Sequence, residues 1–169
     1  MLLHHQFVRV AKQYETKLAI VDRTLNRKVT YKRALIGSLM LAKKFEQYAP
    51  GFLGIMLPNS TGSVLSIIAT LMSGRVPVMI NYSTGAAMNC EFAQKKCDFK
   101  TIITSRALCK KINCRHVEGM VYLEDVMKSV NILDKIKAAY QAGRSVDQVL
   151  KSIHAGNEDD TLLILFTSG

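Results

Sequence analysis

The amino-acid sequence predicts an α/β fold, a mostly parallel sheet with flanking helices, on three observations. Short apolar runs alternate with helical periodicities along the chain. The runs at 52–57 and 76–81 are unbroken by polar side chains until their ends, as in strands covered on both faces. A helical stretch joins these two runs within roughly 30 residues, the length of a βαβ unit, whose crossover is expected to be right-handed.

Element by element, residues 2–14 place Leu3, Phe7, Val8, Val10 and Ala11 at helical spacing and predict a short amphipathic helix. Two short strands, 18–22 and 28–31, bracket the turn-like segment 23–27 and predict a hairpin. Thr30 is placed to cap a helix carrying Leu35, Leu39, Ala42 and Phe45 on one stripe, which Pro50-Gly51 stops. After the 52–57 strand, Ser60 or Thr61 can cap a largely apolar, and so buried, helix at 64–72 that Gly74 closes. The 76–81 strand tolerates Pro77 near its start, where a missing amide donor does least harm. A helix at Ala86–Cys97, a strand at 101–104, a helix from Arg106 capped by Ser105 and a strand at 119–123 follow. Residues 124–154 are expected to be helical in two pieces, 124–142 and 145–154, broken at Gly143. A polar loop at 155–160 precedes the last apolar run, 162–166.

Composition narrows the function classes. With 49% hydrophobic and 21% charged residues, the 169-residue chain can bury a core, which excludes collagenous, low-complexity and disordered readings. The formal net charge of +10 is uneven: residues 1–60 hold ten Lys/Arg against three acids, and 121–169 hold five against seven. Without a dense basic run, without Trp and with only 7% aromatics, the chain lacks the stacking platforms of single-strand binders, so nucleic acid is not an expected partner. Cys90, Cys97, Cys109 and Cys114 form no CxxC pair, which argues against zinc and for buried thiols in a reducing, cytoplasmic compartment. The start lacks a signal-peptide pattern, and the longest apolar stretch, 64–80, is broken by Gly74, Arg75 and Pro77. Any membrane contact is therefore expected to be peripheral.

The best-placed chemical feature is Thr167-Ser168-Gly169, directly after the final apolar run. Ligands of open α/β sheets bind beyond the carboxyl ends of strands, where hydroxyls and a glycine-freed backbone can surround a phosphate. A tripeptide alone is equally an ordinary turn. Elsewhere, adjacent His4 and His5 are expected to be a solvated helix start, His116 and His154 surface residues, and Met72, Met79 and Met88 core filler or, being flexible, the lining of an apolar tunnel. Asp159-Asp160 suits a solvated loop or Mg²⁺. Lys95, Lys96, Lys100, Arg106, Lys110 and Lys111 make the nearest thing to a basic patch, a solvated face or a dock for an acidic protein partner.

Several segments together carry a resemblance. The stretch Asp159 through Phe166 leading into Thr167-Ser168-Gly169 is similar to the acid, apolar strand and Thr-Thr-Gly-x-Pro-Lys-Gly phosphate loop of the adenylate-forming superfamily of acyl-CoA synthetases, nonribosomal-peptide adenylation domains and luciferases. Val29-Thr30-Tyr31, Leu57-Pro58-Asn59-Ser60 and Gly74-Arg75-Val76-Pro77 match further pieces in order. Within it, residues 74–86, 101–106 and 121–126 most resemble the acyl-acyl-carrier-protein synthetase half of bifunctional 2-acylglycerophosphoethanolamine acyltransferases.

The resemblance implies a partial AMP-binding domain over 1–169, the N-terminal portion of the adenylate-forming fold, ending within the phosphate-binding loop. It implies ATP and Mg²⁺ as cofactors of the parent, Thr167, Ser168 and Gly169 as phosphate contacts, and a fatty acid activated as acyl-adenylate and passed to acyl carrier protein or CoA. No catalytic residue is assigned. The loop lysine and the later catalytic elements of the family do not follow, so the fragment itself is expected to be inactive and, with an open sheet edge, marginally stable. The alternative is a non-catalytic α/β nucleotide- or acyl-binding remnant or an interaction module.

Overall fold

The computed structural model describes residues 1–166, and the expected α/β architecture is the one it adopts. In chain order the elements are α1 (Leu3–Gln13), β1 (Leu18–Asp22), β2 (Arg27–Thr30), α2 (Tyr31–Phe45), β3 (Gly51–Ile55), α3 (Thr61–Met72), β4 (Arg75–Met79) and α4 (Ala86–Cys97). There follow β5 (Ile102–Thr104), α5 (Arg106–Lys111), β6 (Met120–Tyr122), α6 (Leu123–Lys128), α7 (Ile132–Gly143), α8 (Val146–Leu150) and β7 (Ile164–Leu165). The first two strands form a separate antiparallel hairpin, and the others a five-stranded parallel sheet in the order β6-β5-β3-β4-β7.

Alternation along each strand divides the core between the two faces of this sheet. Leu53, Ile55, Met79, Ile103 and Val121 pack with α1, α2, α3, α7 and α8 on one face. Phe52, Val78, Ile102, Met120 and Ile164 pack with α4 and α5 on the other. Helices on both faces explain why the strands are apolar at consecutive positions.

The helix starts follow the cap residues. Thr30 Oγ1 accepts the Arg33 amide at 3.4 Å, Ser60 Oγ that of Ser63 at 3.3 Å, and Ser105 Oγ that of Leu108 at 3.2 Å. With Ser60 as its cap, α3 begins three residues before the expected Val64. Gly74, at φ +73°, takes the left-handed conformation just beyond its end.

The expected helix over 124–142 is two helices. Asn131 Oδ1 accepts the Asp134 amide at 2.9 Å while Asp134 Oδ2 accepts that of Asn131 at 3.0 Å, a reciprocal cap that starts α7 afresh and leaves Val130 buried in the linker. The expected helix at 145–154 ends at Leu150, and β7 keeps two residues of the apolar run, both paired with β4 alone.

A buried arginine ties α2 to the start of β4. Arg75 donates Nε to the Ala49 carbonyl at 3.1 Å, Nη1 to that of Ser73 at 2.8 Å, and Nη2 to those of Glu46 at 3.1 Å and Tyr48 at 2.5 Å. Carbonyls left over at the end of α2 and in the turn after it thus share one fork of donors.

Candidate functional site

The carboxyl ends of the parallel strands are where an open α/β sheet presents ligands, and the chain decorates that edge with polar loops. Beyond β4, Asn81 Oδ1 accepts from the Ser83 amide at 2.9 Å and from Ser83 Oγ at 2.7 Å. Asn89 Nδ2 donates to the carbonyls of Asn81 at 2.8 Å and Thr84 at 2.7 Å, so the turn 81–85 is stitched to the first turn of α4. The last rung of the β4–β7 ladder is Met79 with Leu165, and Phe166 therefore leaves the sheet beside the strand that feeds this turn. The Phe166 ring meets that of Phe92 on α4 edge-on, with centroids 5.4 Å apart.

The amino end of α3 lies at the same edge and is an anion site in principle. Two of its donors are already engaged: Asp22 Oδ2 accepts the Thr61 amide at 2.8 Å, and Ser60 takes that of Ser63. The Thr61 amide and then that of Leu25 hold the Asp22 carboxyl below the usual carboxylate range. At the start of α5 the Arg106 guanidinium lies 4.1 Å from the centre of the Tyr122 ring and pairs with Asp125. Thr104 is buried beneath, its hydroxyl donating to the Met56 carbonyl at 2.9 Å.

Thr167, Ser168 and Gly169, the phosphate contacts expected from the sequence, lie outside the described residues. The Asn81–Ser83–Asn89 turn and the Phe92–Phe166 pair were not singled out from the sequence. Asn81 directly after a strand and ahead of Ser83-Thr84-Gly85 was the available signal for the first. Met88, expected as core filler or tunnel lining, is exposed on α4 beside Phe92, whereas Met72 is buried. The expected basic patch is divided. Lys95 and Lys96 end α4 and Lys110 and Lys111 end α5, whereas Arg106 begins α5.

His4 is not a solvated helix residue. It is buried, and its Nε2 donates to the His154 carbonyl at 2.9 Å, as does Nε2 of His5. Burial pushes the His4 pKa below the ordinary histidine value, partly offset by that backbone bond. Cys90, also buried, has its thiol pushed up to about 12 and is inert. A groove of about 380 Å³ opens at the amino ends of β3 and β4, lined by Phe52, Arg75, His154 and Leu162. A second, of about 290 Å³, lies between α2 and α7. Neither groove is at the carboxyl edge, where ligands approach a parallel sheet. Among the described residues no group of three or more His, Cys, Asp or Glu is placed to hold a metal, and no helix is long and apolar enough to cross a membrane.

Comparison with known proteins gives the same architecture. The Klebsiella oxytoca NpsA N-terminal subdomain in complex with 3-hydroxybenzoyl-AMSN superposes at a TM-score of 0.73 with 16% identity, over 99% of this chain and 38% of that one. The o-succinylbenzoate CoA synthetase (MenE) of Bacillus subtilis with its acyl-adenylate intermediate superposes at 0.72 with 17% identity, over 100% of this chain and 40% of that one. The nonribosomal peptide synthetase FmoA3, bound to AMPPNP, gives 0.65 and 12%, over 77% and 14%. The chain thus spans two fifths or less of each of these proteins. The AMP-binding enzyme family matches residues 7–169. By that match, the chain belongs to the AMP-binding enzyme family.

Proposed function

We propose that this chain is the N-terminal part of an ATP-dependent ligase that activates a fatty acid as its acyl-adenylate and passes it to a phosphopantetheine thiol. The observation that carries the reading is the position of β7: a parallel strand beside β4 whose end lies at the polar carboxyl edge, with Thr167-Ser168-Gly169 next but one in the sequence. The Thr61 amide at the amino end of α3, another place for an anion in principle, is already bonded to Asp22, which supports the reading.

In this reading a carboxylate oxygen attacks the α-phosphorus of ATP, the bond from that phosphorus to the bridging oxygen breaks, and pyrophosphate leaves. A thiolate then attacks the acyl carbon and AMP leaves with the bonding pair. Hydroxyls of Thr167 and Ser168 and the Gly169 amide would donate to phosphate oxygens, stabilising charge that grows as the bond breaks. Among the described residues no group of three or more His, Cys, Asp or Glu is gathered, so the ion accompanying ATP is assigned no step.

A fatty acid, rather than an aryl or amino acid, is favoured by the exposed apolar Met88 and Phe92 near the carboxyl edge and by the acyl-carrier-protein synthetase resemblance of residues 74–86. The same resemblance favours acyl carrier protein as acceptor, with CoA as the other thiol. Four free cysteines suit a reducing, cytoplasmic setting. The lysines at the ends of α4 and α5 lie toward the amino ends of the strands, away from where the thiol must arrive, which disfavours them as the carrier dock.

The test is ATP–pyrophosphate exchange by the full-length protein containing these residues. Exchange that requires an added fatty acid is the expected result. Exchange with aryl or amino acids only would replace the substrate class. Nucleotide binding without exchange would make the protein a non-catalytic binding module.

A further inference from the structure

We propose that the outer face of α7 docks the protein on an anionic membrane surface. A surface helix ordinarily turns its large apolar residues inward. Here the arrangement is inverted: Ala138 and Ala142 are buried, while Ile132, Leu133, Ile136 and Tyr140 are 72%, 60%, 59% and 74% exposed. At about 100° per residue, Ile132, Ile136 and Tyr140 follow one another at i, i+4 and i+8, with Leu133 alongside, forming one continuous stripe.

Charge identifies the occupant. Lys135 and Lys137 fall on opposite margins of the stripe; both are exposed, and neither has an ion-pair partner among the described residues. The single acid of the helix, Asp134, is bonded to Lys44 at 2.9 Å and to the Asn131 amide, on the side turned toward α2. Lys128, just before the helix, is exposed as well. An apolar stripe one helix wide with cations on both margins matches a plane of anionic headgroups over acyl chains, where a tyrosine ring bridges the two layers. A second copy packed on this face would set lysines against lysines, so self-association is the poorer match. The surface uses no residue of the proposed phosphate site and does not depend on the ligase reading.

The experiment is flotation of the full-length protein with vesicles of phosphatidylglycerol and phosphatidylethanolamine, compared with vesicles of phosphatidylcholine alone. Three proteins are compared: wild type, the Ile136→Glu/Tyr140→Glu double variant, and the Lys135→Glu/Lys137→Glu double variant. Wild type is expected to float with the anionic vesicles, and each double variant to partition about tenfold more weakly. All four positions are exposed, so the thermal melt should not move, and the melt reports directly if it does. The charge variant probes the surface without adding polar groups to the apolar stripe. Wild type that fails to float with anionic vesicles overturns the proposal, as do variants that float like wild type. Loss of a dimer in sedimentation by the Ile136→Glu/Tyr140→Glu variant, with flotation unchanged, overturns it in favour of a second copy.

Discussion

The ring of Phe92, on the exposed side of α4, stands edge-on to the ring of Phe166, the planes crossing at 71°. One end of that contact is fixed in a helix, and the other is the residue immediately before Thr167. The pair ties the exit of β7 to the helix whose first turn is stitched to the 81–85 loop.

Replacing Phe92 by Ala removes this contact at a surface position. An aromatic pair is worth roughly 0.5–1.5 kcal/mol, so the expected cost in stability is small. On the proposed ligase reading, the KM for ATP in pyrophosphate exchange by the full-length protein is expected to rise by about 2–13-fold, the same energy expressed as a ratio. An unchanged KM would mean that the pair does not position the segment after Phe166.

Arg75→Ala should be among the more damaging substitutions in the chain. It deletes a buried guanidinium that satisfies four carbonyls, and orphaned acceptors together with the lost stem should cost about 2–4 kcal/mol. Arg75→Lys should recover little, because one ammonium cannot span acceptors that a planar fork reaches. Denaturation midpoints of the two variants check this, and a lysine variant as stable as wild type would contradict it.

His4 gives stability a pH dependence of known sign. Its folded pKa lies below the ordinary value of 6.5, so the unfolded state takes up the proton first. Stability contributed here is complete above 6.5 and falls as pH drops through 6.5 toward the lowered folded value. His4→Gln keeps a donor for the His154 carbonyl without titrating, and should flatten the melting temperature between about pH 7.5 and pH 5.5. A wild-type slope that the variant leaves intact would assign the effect elsewhere.

Gly119 enters β6 at φ +87°, and a Cβ there would stand 1.9 Å from the Lys100 carbonyl oxygen. That carbonyl also receives the Gln94 side chain at 2.7 Å, so it is held from the other side. Gly119→Ala is expected to cost roughly 3 kcal/mol or more, read as loss of soluble protein or a melt lowered by about 6 °C or more.

Much of the fold was legible because its determinants are local. Thr30, Ser60 and Ser105 announce three helix starts by side chains that bond their own backbone, and consecutive apolar residues announce strands buried on both faces. The break at 129–131 was harder, since its signal is a polar pair, Asn131 and Asp134, inside an otherwise helical pattern. His4 was misjudged for a different reason: its partner is 150 residues away, and no periodicity in 2–14 encodes it. The exposed apolar face of α7 passed unnoticed because spacing shows that a stripe exists without showing which way it faces. At the carboxyl edge, the 81–85 turn and the Phe92–Phe166 pair depend on strand order, which no local pattern encodes.

That order, β6-β5-β3-β4-β7, also has a meaning for biosynthesis. The central strand β3 is made before any other member of its sheet, β4 and β5 then add to its two sides, β6 extends one flank and β7 the other. Every later strand among the described residues thus meets a neighbour that has already left the ribosome, and none of these strands needs to be inserted between two others. The sheet can grow outward from its middle as the chain emerges, the edges of β3, β4 and β5 each being covered by a strand made later.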